Sequence, residues 1–293
     1  MIFTGSAVAV ITPFDENLDI DYEAFDKIID FHLENKTDAL VVCGTTGEAA
    51  TMTEEERYDL IKYAVGKTQG KIPVIAGTGS NNSKTSAAFS KRVSEIAGLA
   101  GLLVVTPYYN KATKEGLYLH FKTIAESTKL PIILYTVPSR TNINLDLETV
   151  VRLAEIENIV GIKDATGDLS YTAGLLNSLP KDFAIYSGND DLTLPMLALG
   201  IHGSISVFAN IMPKENHDIY EFYKNGQVDE AKGLHLKYID FIHDLFLEVN
   251  PVPVKAAASL MGLCQNELRL PLTRANENNT EILGKKLKEL NLC

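Results

Sequence analysis

Ile159-Val160-Gly161-Ile162-Lys163 is an apolar run that closes on a lysine. No polar residue alternates with the apolar ones, the pattern of a parallel strand covered by helices on both faces. The lysine at its end is an ammonium among apolar neighbours. Burial disfavours the charged form, lowers a lysine's pKa from roughly 10.4, and leaves neutral amine available near neutral pH. Such an amine adds to a carbonyl carbon and forms a Schiff base. A side chain that snorkels from the strand end to solvent is the plainer alternative.

Similar β-rich runs recur on either side. They cover residues 6–14, 39–44, 72–79, 101–109, 131–138, 183–191 and 203–210, and the lysine's own run extends over 159–167. Helical periodicity fills the intervals, for example at 22–35, 54–68, 85–96, 117–128 and 147–156, with several starts marked by Asp, Ser or Thr. Eight strand-helix units predict an α/β fold, a closed (β/α)8 TIM barrel. An open doubly wound sheet is the runner-up, but its GxGxxG fingerprint is missing, and Gly77-Thr78-Gly79 matches only the first half. Past residue 210 the pattern is helical at 219–223, 230–249, 254–263 and 282–290. One of these completes the barrel. The expected division is a catalytic barrel over 1–225 and a C-terminal helical domain over 226–293, docked on the barrel because no Gly/Ser linker precedes it.

Composition narrows the function. The chain has 293 residues, 45% hydrophobic and 22% charged, with a formal net charge of −11. A polyanion is not drawn to nucleic-acid backbones or anionic membranes, so an anionic substrate would need positive charge supplied by its own site. No apolar stretch of about 18 residues appears and the N-terminus lacks a basic lead-in, which predicts a cytoplasmic protein. Cys43, Cys264 and Cys293 have no CxxC spacing, and the six histidines have no HxH or HExxH spacing, so no disulfide framework, metal or cofactor is expected. His202 reads as structural and Cys43 as an inert buried thiol. Asp164, Asp190 and Asp191 read as caps or loop acids.

In an α/β barrel the chemistry gathers where strands end. The second run ends in Gly44-Thr45-Thr46-Gly47-Glu48, two hydroxyls between glycines, which suits either a small anion or a turn with a helix cap. The fourth ends in Thr106-Pro107-Tyr108-Tyr109-Asn110 and the fifth in Leu134-Tyr135-Thr136-Val137-Pro138-Ser139-Arg140. Tyrosines here serve packing or proton transfer. The Arg140 guanidinium suits a carboxylate, or is an ordinary surface arginine. On the lysine's own strand Gly161 shares a face with Lys163, and its small size predicts room for a substrate.

Together these stretches, with Gly161-Ile162-Lys163-Asp164-Ala165-Thr166-Gly167, closely resemble the 4-hydroxy-tetrahydrodipicolinate synthase (dihydrodipicolinate synthase) family. The resemblance continues through Asn250-Pro251-Val252-Pro253-Val254-Lys255 and Leu268-Arg269-Leu270-Pro271 to the C-terminus. It implies condensation of pyruvate with L-aspartate 4-semialdehyde on the diaminopimelate route to lysine. By this resemblance Lys163 forms the Schiff base, and Thr45, Tyr109 and Tyr135 form a proton relay with Tyr135 as donor and acceptor. Thr46 holds the pyruvate carboxylate, Ile205 lines that pocket through its backbone, and Arg140 binds the semialdehyde carboxylate. Tyr109 reaches into a neighbouring subunit's site, in a homotetramer built as a dimer of dimers. The family more often has Glu at Asp164 and Asn at Thr136. Its lysine-inhibited members carry a regulatory pocket that falls on Ala49, Ala50, Glu54, Arg57, Asn81, Thr85 and Tyr108. A cation at Arg57, and no anion at Thr85, predict weak or absent inhibition by lysine.

Two rival functions compete. Another pyruvate-dependent aldolase, such as an N-acetylneuraminate or 2-keto-3-deoxy sugar acid lyase, would share Lys163 and Tyr135, but the Thr45-Thr46 pair and Arg140 suit a short aldehyde carrying a carboxylate. A silent barrel that only binds a small acid would not need a buried amine.

Overall fold

Each apolar run contributes one strand to a single closed sheet in the computed structural model, which describes residues 1–293. The strands are β1 (Gly5–Ala9), β2 (Ala39–Val42), β3 (Val74–Gly77), β4 (Gly101–Val105), β5 (Ile132–Thr136), β6 (Ile159–Asp164), β7 (Ala184–Ser187) and β8 (Gly203–Ser206). All neighbours are parallel and β8 pairs back onto β1, which makes the predicted (β/α)8 barrel. Helices α1 (Tyr22–Glu34), α2 (Glu54–Thr68), α3 (Ser83–Val93) and α4 (Lys114–Ala125) follow the first four strands. After β5 come a single turn, α5 (Pro138–Thr141), and then α6 (Leu147–Ala154); α7 (Leu169–Ser178), α8 (Thr193–Leu199) and α9 (Pro213–Lys224) complete the ring. Beyond it lie α10 (Val228–Asp244), α11 (Val252–Leu260) and α12 (Glu277–Glu289). No helix is long and apolar enough to cross a membrane.

The continuous hydrophobicity of the strands serves two cores. Outward residues such as Val8, Leu40, Val74, Leu102, Leu134, Ile162 and Ile185 pack beneath the helices, while Ala7, Ala39, Val41, Ile75, Leu103, Ile133, Ala184 and Ile205 fill the barrel interior. Phe3 stacks on Tyr186 with ring centroids 4.3 Å apart, and the Tyr186 hydroxyl donates to the Phe3 carbonyl at 2.8 Å, closing the N-terminal side. Helix starts are fixed by side chains that satisfy orphan N–H groups. Asp21 caps α1, Asn82 caps α3, Asp146 caps α6, and Thr53 with Glu56 forms a capping box on α2.

The strands are shorter than their apolar runs. Residues 10–14 stay buried past the end of β1 because the C-terminal helical part covers this rim; Lys255 and Arg269 lie over the Phe14 ring at 4.3 and 4.4 Å. Helix α10 packs on α9 and on the 190–192 turn, and α11 lies against the turn at 208–210. Phe208 meets Tyr238 and Phe241 of α10 at 5.7 and 6.2 Å, so these helices are seated on the end of the barrel where the strands terminate.

Candidate active site

Strand β6 carries Lys163 into the barrel mouth with only 5% of its surface exposed. Its register partner on β5 is Tyr135, and the amine lies 4.6 Å from the centre of that ring. Burial lowers the Lys163 pKa to about 8, with the Asp190 carboxylate opposing the shift and the Arg140 guanidinium adding to it. Burial raises the Tyr135 phenol, countered by the charge of Arg140 and by the Thr45 hydroxyl. Lysine, tyrosine, arginine and threonine therefore share one electrostatic neighbourhood.

A cavity of about 340 Å³ opens above them, lined by Thr45, Thr46, Tyr135, Arg140, Lys163 and Asn250, among others. A second, of about 380 Å³, adjoins it across Thr45, Tyr135 and Arg140 and extends toward Arg57 and Tyr108. The Thr46 hydroxyl accepts from Asn250 Nδ2 at 3.0 Å, and Arg140 donates to the Asn250 carbonyl at 2.9 Å. Ile205 is fully buried in the interior layer, on β8, and does not line the cavity. Tyr109 stands apart. In the middle of the loop that leaves β4 it adopts φ 77°, is 88% exposed, and lines neither cavity.

Gly161 does not make room for a substrate. A Cβ there would lie 2.6 Å from the Ala184 carbonyl, so its missing side chain lets β7 approach. Space beside the lysine comes instead from Gly188, where a Cβ would lie 2.9 Å from Lys163 Cε. Asp190, read as a cap or loop acid, lies in the turn after β7 and ties it to the turn after β8: one carboxylate oxygen accepts from the Val207 and Phe208 amides at 2.9 Å each. It also lines the lysine cavity, a role the sequence does not signal. Asp164 accepts from the Thr166 amide at 2.9 Å and from the Thr172 hydroxyl at 2.7 Å, which makes it structural. His202 Nδ1 accepts from the Ile185 amide at 3.1 Å. Burial pushes the Cys43 thiol up to about 12 despite the charge of Arg57, so it holds its proton.

Fold and site define a class: an α/β barrel with a buried amine and a phenol side by side at the mouth, the end where barrel enzymes place their chemistry. The model of the dihydrodipicolinate synthetase family matches residues 2–290, and the chain belongs to that family. A 4-hydroxy-tetrahydrodipicolinate synthase of Alkaliphilus oremlandii is 50% identical over 291 residues, covering 99% of this chain and 100% of the relative. The crystal structure of dihydrodipicolinate synthase from Aquifex aeolicus superposes with a TM-score of 0.97 at 45% identity, covering 99% of both chains. The chloride-inhibited enzyme from Acinetobacter baumannii, complexed with pyruvate, gives a TM-score of 0.96 at 42% identity over 99% of each chain.

Proposed function

We infer that the chain condenses pyruvate with L-aspartate 4-semialdehyde to give 4-hydroxy-tetrahydrodipicolinate, on the diaminopimelate route to lysine. The observation that carries this reading is the Lys163 amine, its pKa lowered to about 8 by burial and its Nζ 4.6 Å from the Tyr135 ring. The neutral amine adds to C2 of pyruvate, and the carbonyl oxygen leaves as water once protonated. The resulting iminium draws electrons from C3, which loses a proton to give an enamine. Enamine C3 attacks the aldehyde carbon while the aldehyde oxygen takes up a proton. Ring closure by the substrate's amino group then displaces Lys163.

Tyr135 gives and takes these protons, with Thr45 as the next member of the relay and Tyr109 contributed from a neighbouring subunit of a homotetramer. Thr46 holds the pyruvate carboxylate over the interior layer that contains Ile205. Arg140 receives the semialdehyde carboxylate, where a planar guanidinium gives paired hydrogen bonds. The barrel of residues 1–225 supplies the chemistry, and residues 226–293 form a helical part that closes its rim. A cytoplasmic location accords with three unpaired cysteines.

Borohydride reduction in the presence of pyruvate, followed by mass analysis of the peptide containing Lys163, tests the central step. A pyruvate-dependent mass increase on that peptide is expected, and its absence overturns the reading. Parallel assays of semialdehyde condensation and sugar-acid cleavage separate this activity from that of a sugar-acid lyase.

A further inference from the structure

Lys255 and Glu48 form an ion pair 207 residues apart in sequence, and neither side chain has any exposed surface. The ammonium donates to Glu48 Oε1 and to the Glu267 carbonyl at 2.8 Å, and it rests over the Phe14 ring at 4.3 Å. The other oxygen of Glu48 accepts from the Arg269 amide at 3.2 Å. Removing two opposite charges from water is costly, and well-packed apolar side chains of the same volume stabilise a core at least as well. The reason for this pair is therefore sought in what it holds in place.

Glu48 ends the turn that carries Thr45 and Thr46. Its amide donates to the Thr45 carbonyl at 3.1 Å, which closes a loop around both threonines, and its own carbonyl accepts from the Thr51 hydroxyl at 3.0 Å. It does this at φ 54°, in the left-handed region that a non-glycine residue keeps only where its surroundings hold it. Lys255 on α11 is that hold. Five residues earlier on the same segment, Asn250 grips the Thr46 hydroxyl and the Arg140 guanidinium. One stretch of the C-terminal helical part therefore reaches the two groups assigned to substrate carboxylates.

We propose that Glu48 and Lys255 are positioning residues: their buried pair locks the Thr45-Thr46 turn against α11 in the geometry that receives the carboxylate of a small 2-keto acid. The proposal rests on the assignment of Thr46 to that carboxylate. Releasing the turn weakens keto-acid binding and leaves the amine's own chemistry in place. Loss of one well-aligned charge-assisted contact is worth about tenfold in affinity.

The test is the double variant Glu48→Gln/Lys255→Met, which removes both charges at nearly constant volume. The expected result is a KM for pyruvate raised about tenfold, while saturating pyruvate still yields the borohydride-trapped Lys163 adduct with an unshifted pH midpoint. Ile28→Val, a core change on α1 remote from the mouth, serves as the control for lost stability and leaves KM unchanged. Glu48→Asp is the second variant. It keeps both charges but pulls the turn by one methylene, and it too is expected to raise KM. An unchanged KM in either folded variant overturns the proposal, as does an equal rise in the control. No adduct in the unmodified protein overturns the Schiff-base reading first, and the positioning role with it. An adduct there combined with unchanged KM in the variants removes the positioning role alone.

Discussion

At Lys163, opposing effects set how much neutral amine is present. Burial is the largest, the Asp190 carboxylate works against it, and the outcome is a pKa of about 8. At pH 7 about one amine in ten is then neutral, against roughly one in three thousand at the ordinary lysine value. Asp190→Asn removes the charge that holds the proton on, so the midpoint for adduct formation is expected to move below 8. Initial rates of borohydride trapping across pH measure it, and a midpoint that stays or rises would refute the role of Asp190. Lys163 is legible in sequence because its apolar strand advertises burial. Asp190 is not, because the amides that hold it belong to Val207 and Phe208 and meet it only when β7 and β8 are side by side. Gly161 misleads for a related reason: periodicity gives its face, but only the closed barrel shows that Ala184 occupies the space beside it.

Elements whose local signals agree are those the sequence reveals. Helix α2 has a capping box and coincides with the predicted 54–68, whereas α9 starts at Pro213, ahead of the predicted 219–223, because its polar first turn breaks the apolar period. Helices α2 and α3 also shape the cavity beside the site. The Arg57 guanidinium of α2 stacks 4.3 Å from the Phe89 ring of α3 and donates to the Gly77 carbonyl at 2.7 Å, so a fixed cation stands in the wall of that cavity. An ammonium about 4 Å from it would meet repulsion of roughly 4 kcal/mol at an effective dielectric of about 20. Free lysine at millimolar concentration is therefore expected to leave turnover unchanged. Inhibition curves at saturating and limiting pyruvate check this, and half-inhibition at submillimolar lysine would contradict it.

At the scale of the whole molecule, a single copy of the chain leaves a residue without work. Tyr109 is 88% exposed at φ 77°, away from the cavity that holds Thr45 and Tyr135. A large aromatic held in a strained conformation and facing solvent is explained when a second copy receives it. In a two-fold dimer each protomer would donate Tyr109 to its partner and accept one in return. A chain with Tyr109→Phe then keeps a sound lysine but deprives its partner, and a chain with Lys163→Ala has a dead site but still supplies the tyrosine. Each variant alone is expected to turn over slowly or not at all. Mixed, dissociated and reassociated at equal amounts, half of the dimers pair unlike chains and each has one complete site, so activity should recover to about a quarter of the unmodified level. Recovery on mixing requires the tyrosine to act across the interface. If the mixture gains nothing while unlike chains demonstrably pair, Tyr109 works within its own protomer or not at all.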